Sequence, residues 1–424
     1  MLKTLTLSPK PLSAEAAPSS LAPIPWRAWR TVSFALLLVV TLAVRLWLIR
    51  RFPEPDTDAP GHLGIARALL ADPANVAIHW VYLPAYHFVL AGLLLAGMTA
   101  DAIRVLNSAL AVLVPLAVFG YAERTPEAQL GGPARYAPWM AAVFCAISPL
   151  VNLLGTSAQQ ETLFTLLVVG TVWAIDARRY ALAGAALAFA SLVRYEAWGA
   201  VALLTLLFIA GRIPPIASRL PRWLGGPKGV PLAVVAPSIL AVGVWLFARR
   251  MTDGTWLGFL RELYRYTHAQ RETFHRSPLW FPVDQPLYVF GSIVGALAFV
   301  GVRRSWRPSH VAPVGIYLFL LGAYAFKGAL GSARYYESLT PFVALAAAHG
   351  VCALGSRQRW VAPALFAAAS WQLVSLSTQL CRWTWPSSGA GAAVTPAAAP
   401  EHDGNARPAP SPAPASRATR TSRR

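Results

Sequence analysis

Asp58 and His62 stand four residues apart in "DAPGHLGIARALLADP", with Glu54 and Asp56 just upstream. On a helix that spacing puts a carboxylate and an imidazole on one face. A carboxylate held in a cleft can serve as a general base, with its neighbours orienting the hydroxyl it deprotonates. Three other stretches hold residues of related kinds. "SPLVNLLGTSAQQETLFTLL" places Glu161 after Gln159 and Gln160, whose amides suit sugar hydroxyls. "ASLVRYEAW" sets Arg194 and Glu196 between two apolar stretches. A charge at the membrane centre costs about 2.5–3.5 kcal/mol even on the mild insertion scale, so this pair belongs at an aqueous edge or a cavity. "FKGALGSARYYESLTPF" offers Arg334 beside Tyr335, Tyr336 and Glu337. A guanidinium can grip a phosphate with two parallel donors, and an adjacent Tyr can close the pocket.

Each stretch also has a plainer role. Asp58 or Asp56, before a first-turn Pro60, reads as a helix N-cap. Glu161 at a helix start is favoured by the helix dipole. Arg194 and Glu196 suit a hairpin turn, and Arg334 with its tyrosines suits an interfacial belt. A cap, however, does not explain a second Asp and a His beside it.

The elements that must position these residues follow from composition. The chain has 424 residues, 56% of them hydrophobic and only 13% charged, against about a quarter charged in soluble domains. Apolar runs of about 18 residues recur along its length, each long enough to cross a bilayer core. They do not alternate as barrel strands do. The expectation is an all-α, polytopic helical membrane protein with about eleven transmembrane helices. Their approximate ranges are 31–50, 102–120, 136–154, 162–173, 181–193, 198–210, 230–247, 286–302, 311–327, 339–354 and 360–376.

The apolar segment Pro84 to Met98 is short. Read as a re-entrant or interfacial helix within a first outer loop of 51–100, it brings the loop charges into register. The short Arg-bearing loops then fall inside. The acidic first loop, Glu161, Arg194, a long loop over 249–285 and Arg334 fall outside, as the positive-inside rule requires. This places the tail 1–30 in the cytoplasm, a transmembrane domain over 31–380 in the cell membrane, and a disordered Pro/Ala-rich tail at 386–424. The aromatic and basic residues of "FLRELYRYTHAQRETFHRSPLWFPVD" suit an interfacial amphipathic helix.

The net charge of +19 sits in short loops and tails, which points to anionic membrane lipid and not to nucleic acid. Cys145, Cys352 and Cys381 are scattered without CxxC spacing, so neither a disulfide framework nor a zinc site is expected.

Taken in order, the four polar stretches resemble the GT-C superfamily of polytopic glycosyltransferases, most of all its protein O-mannosyltransferase and aminoarabinose transferase branch. The first-loop line matches at Asp58, His62, Ala66 and Arg67, and the aromatic-proline stretch that follows matches "HWVYLPAYHFVLAGL". Further lines match Ser148 to Glu161, "GAALAFASLVRYEAW", and Arg334 to Pro341. The resemblance runs from about Thr31 to Leu354. The sequence departs from the family pattern at Ala59, where a Glu usually follows the Asp, and at His62, which replaces a Tyr.

The resemblance implies transfer of a mannose-like hexose or a pentose from a polyprenyl-phosphate donor, with inversion, at the outer face. The acceptor would be a hydroxyl of a lipid, glycan or protein. Asp58 would be the general base. Arg334, with Tyr335 and Arg194, would hold the donor phosphate. Glu161, Asp56 and His62 would position the acceptor or a divalent metal, Asp56 substituting for the missing Glu. Two rivals use similar residues. A lipid-linked sugar transporter or flippase predicts internal repeats, and none is visible. A surface-polysaccharide polymerase or ligase would concentrate its polar residues in a late outer loop, whereas here the acidic ones come early.

Overall fold

In the computed structural model, residues 26–54, 58–125, 132–219, 230–270, 281–326, 332–356 and 360–384 are described. The tail 1–25, Asp56 and the tail 386–424 lie outside them. The described chain is helical, with no strand among the described residues. Its helices are α1 (Trp26–Arg51), α2 (Asp58–Ala71), α3 (Pro84–Leu95), α4 (Ala100–Glu123), α5 (Ala137–Ala146), α6 (Pro149–Leu154), α7 (Glu161–Asp176) and α8 (Tyr180–Val193). There follow α9 (Glu196–Ala210), α10 (Pro214–Ala217), α11 (Leu232–Asp253), α12 (Gly258–Gln270), α13 (Phe281–Phe290), α14 (Ser292–Ser305), α15 (Val311–Ala325), α16 (Thr340–Gly355) and α17 (Val361–Thr384).

Local sequence sets many of the boundaries. Prolines open α3, α5, α6 and α16, where their fixed φ suits the helix and the missing N–H was unpartnered anyway. Thr99 caps α4 by accepting from the Ala102 amide at 3.2 Å.

Among the described residues, six stretches are long and apolar enough to cross a membrane: Thr31–Arg51, Ala100–Glu123, Leu232–Asp253, Pro308–Ala325, Ala333–Gly355 and Val361–Leu380. Pro84–Leu95, Tyr180–Val193 and Glu196–Ala210 are shorter apolar helices. The chain is thus a multi-pass helical membrane protein. Two expected spans are interrupted. The run 136–154 breaks at Ile147 and Ser148, where Pro149 restarts the helix. The run 286–302 breaks at Gly291, whose φ of 77° only glycine adopts at ease.

Lipid offers no hydrophobic drive between apolar helices, so close packing holds them together. α14 crosses α16 at Gly301 and Gly350. A Cβ at Gly301 would fall 1.9 Å from the Ala346 carbonyl, and one at Gly350 would fall 2.0 Å from that of Leu297. The stretch Ala333–Gly355 is the most enclosed of the six, while the exposed apolar residues of α1, α11 and α17, such as Leu36, Leu240 and Trp371, line the periphery.

This arrangement converges four chain segments: the start of α2, the start of α7, the junction between α8 and α9, and the 3-10 turn Ala333–Leu339 that leads into α16.

Candidate active site

Each polar residue stands where a helix begins or ends. Asp58 is the first residue of α2, and Glu161 is the first of α7. Arg194 has extended backbone (φ −144°, ψ 143°) between α8 and α9. Arg334 lies in the 3-10 turn. The charges of the row thus come from helix ends and turns, not from mid-helix positions.

The charges meet in a row. Arg334 Nη2 donates to Asp58 Oδ2, and Arg334 Nε lies 3.6 Å from Glu161 Oε1. That same Glu161 oxygen accepts from Arg194 Nη1 at 2.5 Å. Arg194 Nη2 and Nε then donate to Glu196 Oε1 at 2.5 and 3.0 Å. Negative and positive groups alternate from Asp58 through Arg334, Glu161 and Arg194 to Glu196. Arg334 touches both Asp58 and Glu161, so these two stand at one face of the bundle.

The row has an open and a closed end. The Asp58 and Arg334 side chains are 22% and 21% exposed. Those of Glu161, Arg194 and Glu196 are buried. Burial alone would lower the Arg194 pKa, but the carboxylates of Glu196 and Glu161 outweigh it and hold the guanidinium above its ordinary range. Tyr335 lies between the two cations, with the guanidinium of Arg194 5.2 Å and that of Arg334 5.7 Å from its ring centre. Both distances allow a cation–π attraction.

Six of the residues singled out from sequence therefore come together: Asp58, Glu161, Arg194, Glu196, Arg334 and Tyr335. Arg194 is committed to two carboxylates, which leaves Arg334 as the guanidinium at the open end. Glu54, next to Asp58 in sequence, goes elsewhere: it accepts from the Ala158 amide at 3.1 Å and lies 3.5 Å from Arg104 Nε, tying the first loop to the approach to α7. Glu337 backs the row, its Oε1 accepting from Thr162 Oγ1 at 3.3 Å. Glu161 Oε2 and Glu337 Oε2 have no hydrogen-bond partner among the described residues.

His62 is buried, and its Nδ1 is bonded outside the row. Its Nδ1 lies 2.9 Å from His87 Nε2, and His87 Nδ1 lies 2.8 Å from His79 Nδ1. Sequence reading missed His79 and His87. Tyr82 packs on His62 with ring centres 4.5 Å apart. Burial first, then the Asp58 charge, raises the Tyr82 phenol, so it remains protonated.

The described residues, which do not include Asp56, offer no ready site for a divalent metal. Among the described residues no group of three or more His, Cys, Asp and Glu is arranged to hold one. Asp58 and Glu161 are already met by guanidinium groups, and His62 Nδ1 by an imidazole.

No protein-family model and no curated protein sequence matches the chain. Among solved structures, the crystal structure of ArnT from Cupriavidus metallidurans in the apo state is similar, at 15% identity and a TM-score of 0.46. The alignment covers 77% of this chain and 60% of that one, so the chain spans less than two thirds of that protein. A likeness of this degree establishes neither family nor activity.

Proposed function

We propose that the chain is a GT-C-type membrane glycosyltransferase that moves a hexose or pentose from a polyprenyl-phosphate donor to an acceptor hydroxyl at the outer face. The observation that carries this reading is the open end of the row, where a carboxylate and a guanidinium stand side by side over a buried charged base. The donor phosphate would draw Arg334 to itself and leave Asp58 to the acceptor. Asp58 then takes the hydroxyl proton as the acceptor oxygen attacks the anomeric carbon. The bond from that carbon to the phosphate oxygen breaks, with inversion. Its electron pair goes to the phosphate, where Arg334 meets the charge as it develops. Arg194 acts through others, fixing Glu161 and Tyr335. The step needs no nucleotide.

An apolar cavity of about 300 Å³ supports a lipid donor. Its lining includes Leu287, Phe290, Tyr317, Leu339 and Val343, and it reaches Tyr336, two residues from Arg334. A prenyl tail suits such a wall. α3, at about 18 Å for its twelve residues, is short of the roughly 30 Å hydrocarbon core. We therefore place it as a re-entrant helix, with the site outside and the N-terminus in the cytoplasm of a cell-membrane protein.

The test is purified protein reconstituted in vesicles with defined polyprenyl-phosphate hexoses and pentoses and hydroxyl acceptors of lipid, glycan and peptide type. Release of polyprenyl phosphate that depends on acceptor supports the reading. Movement of intact donor across the bilayer without release would make the chain a transporter.

A further inference from the structure

Behind the start of α2 lies a feature the row does not use. His62, His87 and His79 come from α2, α3 and the 3-10 turn Val76–His79, and all are buried. They are linked in series, His62 Nδ1 to His87 Nε2 at 2.9 Å and His87 Nδ1 to His79 Nδ1 at 2.8 Å. A single metal cannot explain this, because His87 turns a different ring nitrogen to each partner. An ion between two nitrogens would need bonds of about 2.0–2.1 Å to each and would push them further apart. These are direct hydrogen bonds.

Buried imidazoles are neutral. Burial, and then the charge of Arg249, lowers the His79 pKa to about 4. A neutral imidazole carries one N–H, so His87 must donate through one nitrogen and accept through the other. Only two proton arrangements satisfy both bonds. In one, His79 donates to His87 and His87 donates to His62, which leaves the proton of His62 on Nε2 and Nε2 of His79 bare. In the other both bonds are reversed, so Nε2 of His62 is bare and Nε2 of His79 is protonated. A proton arriving at His62 Nε2 therefore expels one from His79 Nε2, two rings away. Three protons shift with no net change of charge, and the chain of rings is left in the first arrangement; a half-turn of each ring restores the second before another proton enters.

We propose that His62, His87 and His79 form a proton relay that resets the Asp58 base after each transfer. The inference rests on the glycosyltransferase reading. Asp58 lies one helical turn before His62 on α2, and Tyr82 packs on His62 while feeling the Asp58 charge. With donor and acceptor filling the open end, bulk water is shut out on that side. The proton that Asp58 took from the acceptor leaves by the back, through His62 and His87 to His79. His79 is itself buried, and the proton passes from it to the surface beside the adjoining Trp80, which is 43% exposed.

The test separates the first turnover from those that follow. His87→Gln keeps a donor and an acceptor at the central position, but an amide does not pass a proton on. Rapid-quench assays of acceptor-dependent polyprenyl phosphate release should show one product per enzyme at the wild-type rate. A steady state slower by about tenfold or more should follow, restored by free imidazole in the buffer. His79→Gln, remote from Asp58, should give the same split, and it carries the test if His87→Gln does not fold. First and later turnovers falling together without imidazole rescue, or neither falling, would overturn the relay. A wild-type protein that releases no polyprenyl phosphate from any donor fails the glycosyltransferase reading itself, a result distinct from either.

Discussion

Both ends of α7 hold a carboxylate in the bundle, about 22 Å apart by helical rise, and the two are built to different ends. At the first, Glu161 lies between two guanidinium groups and keeps one oxygen without a partner among the described residues. At the last, Asp176 accepts from the Tyr121 hydroxyl at 2.8 Å, and that hydroxyl meets His310 Nε2 at 2.8 Å. The second arrangement closes on itself: the phenol donates to the acid and accepts from the imidazole, joining α7 to α4 and to the turn before α15. The first leaves capacity over. A closed set of hydrogen bonds fastens helices together, whereas a row of charges with an open end can exchange one partner for another.

The sharpest way to break this contrast is Asp58→Asn. Asn has the same shape and caps a helix as well, so a purely structural Asp58 predicts little change. A general base predicts a fall in transfer of roughly 10²–10⁴-fold with membrane insertion intact, read by polyprenyl phosphate release and by size-exclusion of the purified protein. Near wild-type transfer would turn the open end into a second clasp.

Arg334→Lys comes next. Lys keeps the charge but not the two-pronged grip, so donor KM should rise by about tenfold while acceptor KM stays put. An unchanged donor KM would return Arg334 to an interfacial role. The smallest effect belongs to the other end of α7. Tyr121→Phe should leave transfer at the wild-type rate and cost about 0.5–1.5 kcal/mol of stability, read as a lower midpoint of thermal unfolding. A loss of activity instead would show the two ends to be coupled.

Much of the row was legible because membrane helices punish charge. An ionisable residue beside an apolar run needs a reason, so Asp58, Glu161, Arg194 and Arg334 stood out. Pairing was not legible. Nothing in the sequence says that Arg194 would be taken up by Glu161 and Glu196, or that Glu54 would turn to Arg104, since those contacts depend on how helix ends meet. The imidazole chain was hidden for another reason. His79 and His87 flank the break at Leu83 and Pro84, so no helical period relates them. Histidine among aromatics near a membrane edge also reads as ordinary interfacial composition. The breaks at Ser148 and Gly291 were passed over because hydropathy counts apolar residues and ignores backbone geometry.

The glycine crossing of α14 and α16 bears on how a lipid is recognised. The turn holding Arg334 leads straight into α16, and α16 rests on α14 with backbone against backbone, no side chain serving as a cushion. The turn that carries Arg334 is therefore tied through α16 to α14 and cannot slide along it. On the glycosyltransferase reading, a donor whose phosphate rides higher or lower than that turn would be met only by lipid that thins or thickens around it, at a cost that grows with each ångström of mismatch. Membrane thickness would then act as a ruler for substrate choice, set by two residues that lack side chains.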